Sequence, residues 1–381
     1  MKKLSFFFLA AVLFISGCSD TDFIRPSDDL TTVPVMDIFI MHESYEYLKK
    51  NRANDAKVSC RITYKDQTLD AEIRGAGAGS RYYPKWSYKV SLDEGLIEGY
   101  DEFNLSAQVS DPTLLATAIT TDLYKRLGFP LFRTHFVFVR INGEDQGLYP
   151  LIERVEEEFF AERGLDLAVL FKAGFEARFS LNSGEYDPYF NYEKKYPDDE
   201  NYNDLVEFMH AVDTSSSDKL ESSLGKFLDL DNYMKYHAMT ILVNNIDAFS
   251  NNIFLHKETP TAPFKVIPWD FDKAFFNEAP IKSIYDYNDL IKKILTSQET
   301  HKKYLEEFEY QINNVYTLDN IKAVGDSVGL IIKEAYNLDP YLGKGGRFNF
   351  DEEKERLYDF VAERKILLKK LLEEAKAKNN F

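Results

Sequence analysis

Asn244-Asn245-Ile246-Asp247-Ala248-Phe249-Ser250-Asn251-Asn252 and, further along, Pro268-Trp269-Asp270-Phe271-Asp272 form the densest functional signal in the chain. Between them, Asn252–Lys257 and Phe264–Trp269 are strand-like, and Thr259–Pro263 supplies a loop with two prolines. Paired as an antiparallel hairpin, these segments put Asp247 just before the first strand and Asp270 just after the second. Both then sit at the open end, with the strands about 4.8 Å apart. Asp270 and Asp272 are two apart, so extended backbone places them on one face. Three carboxylates and Asn252 are thereby expected at one spot. Their repulsion is costly unless a cation neutralises it, and hard Mg²⁺ takes oxygen ligands of this kind. Asn and Asp also crowd turns and helix caps for local reasons, and Trp269 and Phe271 serve equally well as core.

On the N-terminal side of the hairpin the chain from Pro34 to about Glu153 is mostly strand. Val58–Tyr64 alternates apolar and polar, a polar turn follows at Lys65–Gln67, and Leu69, Ala71 and Ile73 continue the period of two. Cys60 alternates with Val58, Ile62 and Tyr64 on the apolar face, which predicts a buried structural thiol. Phe136–Ile141 runs into Asn142-Gly143, the strongest short hairpin signal. One helix is predicted among these strands, over Asp111–Leu127, closed by Gly128. Beyond Glu153 helices dominate. Asp229 is a candidate cap for a helix carrying Tyr233, Tyr236, Met239, Thr240 and Val243, and Tyr304–Tyr316, Leu318–Ala335 and Glu352–Lys376 are periodic. The reading is α+β with two lobes, a β-rich nucleotide lobe over 34–155 and a mainly helical lobe over 156–381 that carries the hairpin. A cleft between lobes is a usual place for a ligand.

The 381 residues carry 46 Lys+Arg against 63 Asp+Glu, a net charge of −17 that disfavours nucleic acid as a partner of the whole body. Two cysteines exclude a disulfide scaffold. At the N-terminus Lys2 and Lys3 precede an apolar stretch, Leu4–Ile15, too short to span a bilayer. Phe14-Ile15-Ser16-Gly17-Cys18 resembles a bacterial lipobox, which implies a signal peptide over 1–17, lipidation of Cys18 and a tether over 18–33. Loss of residues 1–17 removes two lysines and no acid, leaving −19. The expected location is the cell envelope as an outer-membrane lipoprotein, on the periplasmic side or the cell surface.

Asp247 and Asn252 are five apart, the spacing of a kinase catalytic loop of the H-R-D-x-x-x-x-N type, although His-Arg is absent. Asp270-Phe271-Asp272 stands across a short hairpin where a D-F-G would stand. A phosphate clamp is expected in the β-rich half, and Arg74-Gly75-Ala76-Gly77-Ala78-Gly79-Ser80 is a candidate, because Gly and Ala let backbone approach phosphates closely. A strand lysine downstream, within Lys85–Leu92, has the reach to meet them.

At these residues the sequence resembles the CotH kinase family, the spore-coat-type atypical kinases, over roughly Val33 to Leu372. The elements occur in that family's order: Arg74-Gly75 with Lys85 and Tyr88-Lys89, Ile141-Asn142-Gly143 with Gly147-Leu148-Tyr149 and Glu153, Tyr196-Pro197-Asp198, Asn245–Asn252, and Pro268-Trp269-Asp270-Phe271-Asp272. The resemblance implies an atypical protein-kinase-like fold using ATP and Mg²⁺ or Mn²⁺. It makes Asp247 the catalytic base, Asn252 and Asp270 metal ligands, Lys89 the phosphate-binding lysine, and Asp272 a further ligand or orienting group. Arg74, Gly75, Gly77 and Glu153 join the nucleotide-binding set. The family's Arg-Gly-Asn-Ser loop is here Arg74-Gly75-Ala76-Gly77, its Leu-Arg-Asn reads Leu115-Ala116-Thr117, and a second lysine beyond Tyr88-Lys89 is Ser91. The function expected first is phosphate transfer from ATP to protein hydroxyls. Two others compete: a non-catalytic kinase-like surface lipoprotein for adhesion or glycan and protein binding, and a nucleotide-sugar transferase using Asp270-Phe271-Asp272 as its D-x-D.

Overall fold

The computed structural model describes residues 32–77, 79–174, 176–181, 188–275, 280–285, 287–344 and 346–379. The signal peptide, lipidated Cys18 and tether expected from the sequence fall on residues 1–33, of which 1–31 lie outside the described residues. The body begins at Thr32, which donates to the carbonyl of Ile331, and Val33 is already buried.

Seven strands close into a barrel: β1 (Val35–Phe39), β2 (Lys57–Tyr64), β3 (Gln67–Ala76), β4 (Ser87–Leu92), β5 (Glu102–Leu105), β6 (Thr134–Ile141) and β7 (Glu144–Glu153). Neighbours are antiparallel except that β1 seals the barrel by pairing in parallel with β6. Alternation decides what fills it. Val58, Cys60, Ile62 and Tyr64 of β2 point inward with Ile73, Tyr88, Val90, Phe103, Val139 and Tyr149. Burial pushes the Cys60 thiol up to about 12, as suits a structural thiol. Asn142 and Gly143 both take positive φ, 53° and 83°, as a tight hairpin turn with the strand twist requires.

A second sheet, ordered β11-β10-β8-β9, comprises β8 (Val169–Ala173), β9 (Tyr192–Tyr196), β10 (Ile253–Lys257) and β11 (Lys265–Pro268). The longer helices are α1 (His42–Lys50), α2 (Ala116–Arg126), α3 (Asn203–Thr214), α4 (Leu230–Leu242), α5 (Gln298–Tyr310), α6 (Leu318–Leu338) and α7 (Phe350–Asn379). The α+β reading, β-rich first and helical second, matches this order. Helix α2 starts at Ala116 rather than Asp111. The Asp111 carboxylate accepts from the backbone N–H of Thr113 and Ala116, and Leu114 turns at φ 58°, so residues 111–115 form a turn ahead of the helix.

A buried ion pair helps tie the barrel to the helical part. Lys85, just ahead of β4, buries its ammonium against the Leu148 carbonyl at 2.6 Å and the Asp339 carboxylate at 2.8 Å. Asp339 follows α6 and also accepts from the N–H groups of Leu148 and Tyr341. Gly147 has φ 97°, and a Cβ there would stand 2.2 Å from the Asp339 carboxylate, so this approach admits only glycine.

Candidate functional site

The carboxylate edge grows out of helix α4. Asp229 caps its start by accepting from the Asn232 N–H at 2.9 Å. At its end the buried Arg364 of α7 donates to the carbonyls of Ile241 and Leu242 and, at 3.1 Å, of Ile281. Ile241 and Leu242 lie in the last turn, whose carbonyls lack regular helical partners, and a cation suits the negative end of the helix dipole. Burial pulls the guanidinium down to about 10, still cationic at neutral pH. Asn244 then reverses the chain at φ 61° into the turn Ile246–Ala248, which presents Asp247.

Hydrogen bonds fasten this stretch to the segment beyond β11. Asn245 Nδ2 donates to the Asp270 carbonyl at 3.1 Å, Phe275 N–H to Val243 at 2.7 Å, and Ile281 N–H to the Asn244 side chain at 2.8 Å. Phe271 is buried between the rings of Tyr124 and Phe132, each 5.6 Å away, and anchors the carboxylates on either side of it.

The hairpin forms with Ile253 opposite Pro268, and Trp269 N–H bonds to the Asn252 carbonyl at 3.0 Å. Asp247, Asn252, Asp270 and Asp272 all line one cavity of about 590 Å³. Asp270 and Asp272 do not share a face by strand alternation, because Asp270 sits at φ 57° and is not extended. Asn252 is also left-handed, at 59°. Asn and Asp are the non-glycine residues that tolerate this region best, so backbone turns aim these two side chains. Nor do three carboxylates close on one point. Asp247 turns aside to Lys273 at 2.8 Å and to Asn252 Nδ2 at 3.3 Å. Among the described residues no three His, Cys, Asp or Glu side chains group closely enough to hold an ion alone. Burial raises the pKa of Asp270, partly offset by Lys172; burial and the Asp270 charge raise Asp272 well above the carboxylate range.

The opposite edge is cationic. Lys89 projects from the outer face of β4, while Tyr88 and Val90 point into the barrel. Burial, then the charges of Arg74, Lys172, Lys195 and Arg154, push it down to about 8. Gly77 and Gly79 line the cavity with Ser80; Gly77 holds φ 79°, and a Cβ would collide with Ser80 Oγ. Arg74, Gly75 and Glu153 are not among the lining residues. Arg74 lies across from Lys89 in the β3–β4 register and pairs with Asp55 at 3.0 Å, standing behind the lysine. Gly75 packs beneath the Arg52 carbonyl.

Glu153 corrects the nucleotide set. Ile152 and Arg154 line the cavity, so the pleat turns Glu153 the other way, where it is buried against Arg163 at 2.6 Å and the Arg133 N–H at 2.8 Å. The strand period thus points to Arg154, the next residue. Sequence reasoning also missed Lys172, Lys195, Lys273 and Gln108, all of which line the cavity. Lys273 was within reach, since it follows Asp272 directly. Lys172 and Lys195 carry no local motif; they enter because β8 and β9 join the hairpin in one sheet.

Fold and site define an α+β protein whose charged cleft opposes cations from two sheets to carboxylates around one hairpin. Residues 71–368 match the family model described as CotH kinase protein, and the chain belongs to that family. The inner spore coat protein H of Bacillus subtilis (strain 168) is 27% identical over 353 residues, covering 89% of this chain and 97% of that protein. Among solved structures, the Helicobacter pylori proinflammatory kinase CtkA aligns at TM-score 0.38 and 11% identity, over 76% of this chain and 94% of its own. The HipA, HipB and operator DNA complex of Shewanella oneidensis MR-1 aligns at TM-score 0.32 and 10% identity, over 89% of this chain and 74% of the matched chain. The family assignment rests on the sequence match.

Proposed function

We propose that the chain is an ATP- and divalent-metal-dependent kinase that transfers phosphate to hydroxyl groups of a protein. The observation carrying this is the division of one cavity into a cationic edge and an edge of Asp247, Asn252, Asp270 and Asp272. Phosphoryl transfer needs little more than positioning and charge neutralisation. Family membership supports the same reading.

The residues fit Mg²⁺ or Mn²⁺. Desolvation in the cleft and the Asp270 charge both raise the pKa of Asp272, and a cation relieves that cost. Asn252 commits its Nδ2 to Asp247 and keeps its amide oxygen for another partner. Sites of this kind hold Mg²⁺ by one or two carboxylates and complete it with phosphate oxygens and water, which agrees with a side-chain set too sparse to hold an ion alone. When bound, the ion neutralises phosphate charge. Asp247 receives the proton of the acceptor hydroxyl, oriented by Asn252 Nδ2, while Lys273 beside it offers positive charge to the group in transfer. Lys89 meets the phosphates, and Gly77 and Gly79 let backbone come close.

A thermal-shift titration of the protein lacking residues 1–17 with Mg²⁺ and ATP tests this. A stabilisation that Asp270→Ala abolishes is expected. No shift at millimolar nucleotide favours the non-catalytic scaffold, and a shift with UDP-sugars but not ATP favours the transferase. Lipid anchoring through Cys18 in the outer membrane belongs to the same proposal, motivated by the lysines, apolar run and lipobox-like residues. Loss of radiolabelled palmitate incorporation in Cys18→Ser checks it. No helix among the described residues is long and apolar enough to cross a membrane.

A further inference from the structure

Five cations line the cavity among the described residues: Lys89, Arg154, Lys172, Lys195 and Lys273. Three are paired. Arg154 meets Glu102 and Glu156, Lys195 meets Glu193 at 2.7 Å, and Lys273 meets Asp247. The side chains of Lys89 and Lys172 make no hydrogen bond or salt bridge within the described residues, with Asp270 and Glu193 in electrostatic reach of Lys172. Lys172 sits one residue from the end of β8, in register with Glu193 on β9 and Phe254 on β10. Glu193 gives its carboxylate to Lys195 instead. The Lys172 ammonium rests over the rings of Phe254, at 5.6 Å, and Trp269, at 5.7 Å. Such a platform holds a cation in place without neutralising it.

We propose that Lys172 is a second phosphate-binding lysine, entering from the sheet of the catalytic hairpin opposite Lys89 on the barrel, so that the cleft brackets a linear chain of two or three phosphates between two ammonium groups. This rests on the kinase reading and deepens it, because the nucleotide tail is then gripped from both sheets while its end meets the Asp270 edge. The role of Trp269 follows: it is the platform on which Lys172 waits.

Isothermal titration of adenosine, AMP, ADP, ATP and inorganic tripolyphosphate, each with Mg²⁺, into wild type, Lys172→Met and Lys172→Arg tests the bracket. Lys172→Met should weaken ATP and tripolyphosphate binding by about ten- to a hundredfold, the scale of one charge-assisted hydrogen bond, and leave adenosine unchanged. Lys172→Arg should recover most of the loss. Lys172→Gln replaces the methionine variant if that one fails to fold. Unchanged ATP and tripolyphosphate affinity, or an equal loss for adenosine, overturns the bracket. A wild type that binds tripolyphosphate through Lys172 but not ATP overturns the kinase reading and leaves the bracket standing. A wild type that binds neither overturns both.

Discussion

The carboxylate edge of the cleft comes from a single hairpin and its flanking turns, whereas the cationic edge is gathered from β4, the end of β7, β8 and β9. The first is aimed by backbone. Asn252 and Asp270 sit in left-handed turns, Phe271 is clamped between two aromatic rings, and Asn245 ties the two halves together. The second is aimed by strand register, with alternation choosing Arg154 over Glu153 and the barrel's outer face choosing Lys89. One edge therefore tolerates little change in its own loops. The other depends on how the barrel is held against the rest of the chain, which is where Lys85 and Asp339 act.

The largest effect is expected on the local edge. Asp247→Asn should keep Mg²⁺-ATP binding and cut transfer by about 10²–10⁴-fold, the usual weight of a general base. Retained transfer in a radiolabel assay removes Asp247 from that role. Next comes the tie between the barrel and the helical part. Asp339→Ala leaves Lys85 buried without its counter-charge, for a loss of about 3–5 kcal/mol in denaturant unfolding. Gly147→Ala should approach it, through collision with the same carboxylate. If either unfolds like wild type, register does not depend on this pair.

A smaller effect separates the edges by pH. Lys89, with Arg74, Lys172, Lys195 and Arg154 around it and Asp55 and Glu193 in electrostatic reach, titrates near 8 in the free protein. The protonated form binds phosphate, so ATP affinity should be strongest below pH 8 and fall above it, by at most about tenfold per pH unit. In Lys89→Arg that fall should vanish between pH 7 and 9; a fall of equal size in the variant assigns it to another group. The smallest change is expected from Glu153→Gln. It should lower the melting temperature through loss of the Arg163 pair and leave ATP affinity as it was, whereas weakened ATP binding would return Glu153 to the nucleotide set.

The same contrast explains what was legible in the sequence. The alternation of β2, the Asn142-Gly143 turn and the Asp229 cap are local, and each appears where the pattern puts it. The hairpin joining Asp247, Asn252 and Asp270 is nearly as local and was readable from spacing. Barrel closure was not, because β1 and β6 lie about a hundred positions apart and nothing in either strand names the other. Lys172 and Lys195 were hidden for the same reason: a cation on a strand shows its purpose only once its neighbour strand is known. Glu153 shows the opposite failure, where a residue taken from a motif stood one pleat away from the residue that faces the cleft.

Lys85 and Asp339 stand 254 positions apart, and that distance has a meaning in time. As the chain leaves the ribosome, every strand of the barrel is available long before the carboxylate that receives its inner lysine. The lobe that carries Lys89 is made first and completed last, by a residue beyond α6, with Arg364 of α7 later still to settle the turn that holds Asp247. A chain released early carries all the motifs of the cleft and lacks the two contacts that hold its edges in place.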